Sequence, residues 1–128
     1  MKINSLPFKI TNAAHGFGEA AGILRLEDDT LLVEFRIQDN MVGILKSEIK
    51  VVEVHFEDLE EVSFTKGIFG HSLKIRIPWM ALSDQIPSEK PGEWTFRIVR
   101  KDAEIALDFV SSIRLVKADE QLRNAEVG

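Results

Sequence analysis

The residues of this chain that could carry chemistry are three histidines and one glycine motif. His15, His55 and His71 share no metal-ligand spacing such as H-x-x-x-H, and cysteine is absent. HGFGEAA, residues 15–21, matches G-x-G-x-x-A, but a dinucleotide site needs a buried strand before this motif and a helix after it. An alternating strand follows it here, so we expect no metal, no cofactor and no catalytic residue.

A pair of acids, Glu27 and Glu34, falls on two predicted strands that an acidic turn joins. By the same alternation Arg25 and Arg36 share their polar face, where opposite charges across strands stabilise a sheet by about 0.2–1 kcal/mol each. Paired acids act in catalysis only when their surroundings separate their pKa values. We therefore interpret these acids as solvated ion-pair partners, and we expect that the protein is not an enzyme.

The stretch that must position any site is LEEVSFTKGIFGHSLKIRI, residues 59–77. Apolar residues alternate with polar ones on both arms, which is typical of half-buried strands, and glycines flank the turn between them. The tip places Ile68 and Phe69 where water is normally the neighbour. These side chains either mark an interaction surface or fold back over the open end of a barrel.

A second apolar segment, DNMVGILKSEIK, contains Ile44 and Leu45. It is either a short strand, over residues 41–46, or a loop with an exposed apolar tip. In the second case Ile44 and Leu45 would join Ile68 and Phe69 as candidate interaction residues.

The sequence predicts a single domain in which the strands come first and one helix comes last. We expect the long connection at residues 78–92 to be anchored by the apolar side chains of Trp79, Met80 and Leu82, with Ile86 anchoring its far end. The apolar residues after residue 101 recur at helical spacing, and a helix of this length is stable only when that stripe packs on a sheet. The predicted segments are a lead-in (1–16), strands (about 20–100), a helix (about 102–117) and a frayed polar tail (119–128).

Composition limits the class of function. The chain has 21 acidic and 16 basic residues, a net charge of −5 and a pI near 5.2, and the bases are scattered, which disfavours nucleic acid and anionic membranes as partners. No apolar run has the length of a signal peptide or a membrane span. The absence of cysteine fits a reducing compartment, so we expect a cytoplasmic location.

This pattern of short strands and one terminal helix resembles the pleckstrin-homology-like (PH-like) barrel, and is similar to a bacterial group of PH-like domains of uncharacterised function. The resemblance covers residues 17–117 and rests on GILRLEDDTLLVEFRI, the strands on either side of KGIFG, and GEWTFRIVRKDAEIALDFVSSIRL. It implies a mainly β fold, an antiparallel split barrel of six or seven strands capped by one C-terminal amphipathic helix. It also implies binding without catalysis. Phosphoinositide-binding members carry basic residues in their first hairpin loop, whereas residues 27–30 here read EDDT, so phosphoinositide is not expected as a ligand.

Three functions stay open from the sequence. The first is a scaffold or protein-interaction module that binds an unknown protein, or itself, through sheet edges and the 67–70 turn tip. The second is peripheral membrane binding through Ile68, Phe69, Ile44 and Leu45, against which the net charge argues. The third is a barrel whose mouth holds a small ligand.

Overall fold

The chain forms one antiparallel sheet, against which a long C-terminal helix packs. The computed structural model describes residues 5–13, 18–39, 44–45, 49–68, 70–88 and 90–127. The strands are β1 (Ser5–Ala13), β2 (Gly18–Glu27), β3 (Thr30–Asp39), β4 (Ile44–Leu45), β5 (Lys50–His55), β6 (Glu61–Lys66), β7 (His71–Arg76) and β8 (Glu93–Ile98). The helices are α1 (Met80–Ser83) and α2 (Ala103–Val127), and 3₁₀ turns cover Phe56–Asp58 and Arg100–Asp102.

The strand order is β4-β3-β2-β1-β8-β7-β6, and β5 pairs with β3 alongside β4. Every neighbouring pair is antiparallel. Among the described strands, β5 and β6 each pair on one side alone, so the sheet stays open in the manner of a split barrel. The predicted fold class is confirmed: the protein is mainly β, and the described residues form seven full strands, the two-residue β4 and a C-terminal helix.

The first strand differs from the prediction. The sequence suggested a lead-in over residues 1–16, but β1 lies at the centre of the sheet, between β2 and β8. Leu6, Phe8 and Ile10 are buried, and Pro7 and Lys9 between them are exposed. Three apolar residues around a proline give a weak strand signal on their own, and pairing with a ten-residue neighbour overrides it.

The hairpin predicted over residues 59–77 folds as expected, with β6 paired to β7. Val62 lies across from Ile75 and Phe64 across from Leu73, and these side chains face the core. The core fills the space between the inner face of the sheet and α2. Its largest fully buried side chains are Trp94, Phe35, Phe56, Phe96, Phe109, Leu6, Leu24, Leu31, Leu59, Leu73, Ile75 and Ile77.

The connection after β7 is anchored by some of the residues that the sequence indicated. Ile86 is buried as expected and Leu82 packs partly buried against the core, but Trp79 and Met80 are exposed and do not anchor it, whereas Ser83 is buried. The indole Nε1 of Trp94 donates a hydrogen bond to the carbonyl oxygen of Ser83 over 2.9 Å. One helical turn cannot bury every apolar side chain it carries, and α1 turns Trp79 and Met80 toward solvent.

Helix α2 is longer than predicted. It begins at Ala103 and continues for 25 residues to Val127, so the segment expected to fray is helical. After residue 117 the sequence has neither proline nor glycine before Gly128 and is rich in good helix formers. Asp119 and Arg123 form an i,i+4 ion pair at 2.6 Å in this extension. Side-chain composition and local pairing therefore extend the helix beyond the sheet.

Candidate binding groove

The structure separates the residues that the sequence suggested as an interaction site. The side chain of Ile68 is 81% exposed and does not fold back over the barrel. Phe69 lies outside the described residues. Ile44 and Leu45 form β4 and pair with β3, so their segment is a short strand, while their side chains lie outside the described part of the chain.

Next to Ile68 the surface contains a groove of about 490 Å³ between β1 and β8. Lys9 and Arg97 are the one pair in register between these two strands in the described part of the chain. Because the strands pair at a single position, they separate beyond it and leave the groove open. Pro7 and Val99, both exposed, give its wall an apolar part.

Three cations line this groove: Lys9, Arg97 and Arg100. Lys9 and Arg97 project outward because Phe8 and Ile98 beside them point into the core. No carboxylate lines the groove, and within the described ranges none lies within ion-pair distance of the three cations. We name this surface the basic groove. Its positive charge contrasts with the net charge of −5 of the whole chain.

Two basic side chains elsewhere on the strands have acidic partners. Arg25 lies 3.3 Å from Glu34, as the sequence predicted for that polar face, and Arg76 lies 3.7 Å from Glu61. The basic groove differs from these two sites because it brings three cations together without a carboxylate in its described lining. A cluster of like charges without counter-charges opposes folding, and such local conflicts in natural proteins concentrate at functional sites.

His71 also lines the groove, but it projects from the inner face of the sheet. It opens β7 across from Ile98, and its ring packs edge-on against Phe64 with 5.5 Å between ring centroids. Its Nδ1 atom is buried and has no hydrogen-bond partner among the described residues. A buried polar atom without a partner is uncommon in native proteins.

The 67–70 turn tip and the basic groove form one continuous surface. Gly67 N–H donates to the carbonyl oxygen of Gly70 over 2.9 Å and closes the turn. Gly70 has a φ of 148°, which favours glycine, and a Cβ there would lie 3.9 Å from Nη2 of Arg97. Arg100 Nη2 donates to the carbonyl oxygen of Ile68. Arg97 and Arg100 therefore connect the groove to the exposed Ile68.

Sequence reasoning missed this groove because its cations come from separate parts of the chain. Lys9 belongs to β1, whereas Arg97 lies 88 and Arg100 lies 91 positions later. In the sequence each appears as a single base on a polar face. Because the strand signal around Pro7 is weak, the sequence did not predict β1, the strand that brings Lys9 beside the two arginines.

The chemistry of the groove suits an anion with an apolar part. Guanidinium groups recognise carboxylate and phosphate oxygens through paired N–H donors. No cluster of three His, Asp or Glu side chains that could hold a metal ion occurs among the described residues. None of the helices described is long and apolar enough to cross a bilayer.

Comparison of the chain with protein-family models, with curated proteins and with solved structures gave no match. The fold and the groove together define a class by their geometry. It is a mainly β domain with an open antiparallel sheet, a C-terminal helix and a basic groove beside an exposed turn.

Proposed function

We propose that this protein is a non-enzymatic binding module whose basic groove takes an acidic, extended segment of a partner protein. The observation that carries the proposal is the meeting of Lys9, Arg97 and Arg100 on a wall without carboxylates. The volume of about 490 Å³ falls within the range of ligand sites. Carboxylates of the segment would bind the cations, and its apolar side chains would contact Val99 and Ile68.

The resemblance to PH-like domains supports a binding role, because members of that group mostly bind. We propose membership of that group together with the binding function. The open sheet and the terminal helix are in keeping with it. The groove, however, uses β1 and β8 and does not use the acidic EDDT turn at residues 27–30, so the proposed ligand is a peptide carboxylate and not a phosphoinositide.

An acidic peptide suits the groove better than an anionic bilayer does. A flat bilayer would meet the whole acidic surface of a chain with a net charge of −5, and this repulsion opposes adsorption. An extended peptide contacts the groove alone. The local positive potential therefore favours the peptide, and repulsion from the rest of the surface affects it less.

Fluorescence anisotropy with a labelled peptide of alternating glutamate and valine tests the proposal. We expect saturable binding at low salt, weakening as salt increases, and no binding of the same peptide with glutamine in place of glutamate. Arg97→Gln should weaken binding by about tenfold, the effect of losing one charge-assisted hydrogen bond. Lys74→Gln removes an exposed cation of β7 that lies outside the groove, and it should leave affinity unchanged.

Three results would overturn the proposal. The first is that the glutamate peptide fails to bind up to about millimolar concentration. The second is an equal loss of affinity in Arg97→Gln and Lys74→Gln, which would indicate a general charge effect. The third is co-sedimentation with anionic vesicles that Arg97→Gln abolishes while the peptide does not compete, which would assign the groove to a membrane.

A further inference from the structure

Helix α2 carries two apolar stripes on opposite sides. The inner stripe packs on the sheet through Phe109 and Ile113, both buried. An outer stripe repeats at spacings of three and four residues, and since a helix turns about 100° per residue, it lies on the opposite side from the inner one. Its members are all exposed, and they are Leu107, Ser111, Leu115, Ala118, Leu122 and Ala125.

The outer stripe includes large apolar side chains that are exposed to solvent. Leu115 is 72% exposed and Leu122 is 65% exposed. From residue 118 to residue 125 every side chain except the half-buried Glu120 is exposed, so the end of the helix extends beyond the body of the domain. About ten helical residues without packing are marginal in water. A partner along the outer stripe would bury both leucines and stabilise this extension.

We propose that the occupant is a second copy of this chain, and that the two α2 helices pair in parallel as a short coiled coil over residues 111–125. Leu115 and Leu122 are seven residues apart and occupy position a of a heptad, and Ser111, Ala118 and Ala125 occupy position d. The small residues at d allow the two helices to approach closely.

Charge complementarity selects the parallel arrangement. In this register Arg114 falls at position g and Asp119 at position e, five residues later. In a parallel pair, position g of one helix lies beside position e of its partner, so Arg114 meets Asp119 twice across the two-fold axis. In an antiparallel pair, position g faces g and position e faces e, so Arg114 would not meet Asp119 and this attraction would be lost.

Both charged side chains are accessible for this contact. Arg114 is exposed and uses Nη2 to donate to the carbonyl oxygen of Val62 over 2.9 Å, and its other N–H groups are available because a guanidinium has five. Asp119 is exposed and binds Arg123 of its own helix through Oδ2, which leaves Oδ1 for the partner.

The position of the sheet permits the pairing. Each sheet lies on the inner side of its own helix, so in the dimer the two domains lie on the outside and do not meet. The sheet already holds the helix in shape, and dimerisation needs no new helix nucleation. The seam is two heptads long, so we expect a reversible dimer whose population depends on concentration.

Sedimentation equilibrium over a range of concentrations tests the dimer. The apparent mass should rise from the 14.5 kDa of one chain toward twice that value. Leu115→Lys combined with Leu122→Lys should hold the mass at that of one chain. At a concentration where the native chain is monomeric, the variant should have the same melting temperature as the native chain, because both side chains are exposed there. Ile68→Lys changes an equally exposed apolar residue at the 67–70 turn tip and should leave the dimer intact.

The parallel orientation can be tested separately by disulfide cross-linking, because the native chain has no cysteine and an introduced thiol would be the only one. Leu122→Cys places the new thiol beside its copy at an a position, so oxidation should yield a cross-linked dimer. Ser88→Cys, at an exposed position of the connection after α1, should not cross-link. A chain that stays monomeric at all concentrations, or a dimer that the double lysine variant retains, would overturn the proposal. A dimer that Ile68→Lys dissociates would place self-association at the turn tip instead.

Discussion

Lys9 on β1 lies directly across from Arg97 on β8, so two positive charges share the one in-register position between these strands. Like charges directly opposite each other destabilise a sheet. The strand pair that joins the two halves of the sheet thus includes an unfavourable contact. Under the proposed function, an acidic ligand would neutralise it.

Replacing Lys9 should therefore stabilise the protein. We expect Lys9→Gln to raise the free energy of unfolding by about 0.2–1 kcal/mol at low salt, because the repulsion with Arg97 disappears. The gain should shrink at high salt, which screens exposed charges. Urea unfolding at two ionic strengths measures this, with Lys74→Gln as the control. A loss of stability would show that the Lys9 ammonium is neutralised in the free protein.

Gly22 should be intolerant of any side chain. It lies between Phe8 on β1 and Phe35 on β3, and a Cβ would come within 1.8 Å of the carbonyl oxygen of Glu34. We expect Gly22→Ala to destabilise the protein by about 3 kcal/mol, at the upper end of the cost of overpacking. Ala21→Ser, at the exposed neighbouring position, should be nearly neutral in the same thermal unfolding assay. Equal stability of the two variants would contradict the close approach of β2 and β3.

The hydroxyl of Ser83 should hold the connection between β7 and β8. Its Oγ accepts a hydrogen bond from the N–H of Gly92 over 2.8 Å, and the residue is buried. We expect Ser83→Ala to cost about 1–3 kcal/mol, because the N–H of Gly92 loses its partner. The exposed Ser88, whose Oγ donates to the carbonyl oxygen of Lys90, gives the matched control Ser88→Ala, with little expected effect. Chemical denaturation of both variants distinguishes the two sites.

Lys117 should attach α2 to the turn before β6. Its Nζ donates to the carbonyl oxygen of Phe56 over 3.0 Å and to that of Leu59. Lys117→Met keeps the aliphatic stem but removes the ammonium, and we expect a loss of about 1.5–3 kcal/mol. Lys101→Met, at an exposed position just before α2, is the control. Hydrogen exchange should also show faster opening of α2 in Lys117→Met alone, and equal protection in both variants would contradict the role.

Much of the fold was predictable because half-buried strands impose a period of two on the sequence. The apolar residues that alternate along β3, Leu31, Val33 and Phe35, are all buried. The inner stripe of α2 was predictable for the same kind of reason, since a helix on a sheet requires apolar residues at a period of 3.6. Phe109 and Ile113, two residues of that stripe, are buried.

Other features of the fold could not be predicted from local patterns in the sequence. The position of β1 depends on partners on both sides, one of them β8, which lies far away in sequence. The exposure of Trp79 depends on which way a single helical turn faces, and apolar composition alone indicated the wrong side. For the 67–70 turn tip, the sequence left exposure and folding back equally open, and tertiary packing leaves Ile68 in solvent.

The sequence by itself determined the mainly β class, the inward faces of most strands and the terminal helix, because each follows from a repeat of two or 3.6 residues within one segment. Only the tertiary structure decided the basic groove and the opposed stripes of α2. The groove exists because β1 brings Lys9 beside Arg97, and no local pattern records a contact between residues almost ninety positions apart. The outer stripe of α2 could be recognised as unpartnered only from the tertiary structure, which shows that the sheet covers the inner stripe.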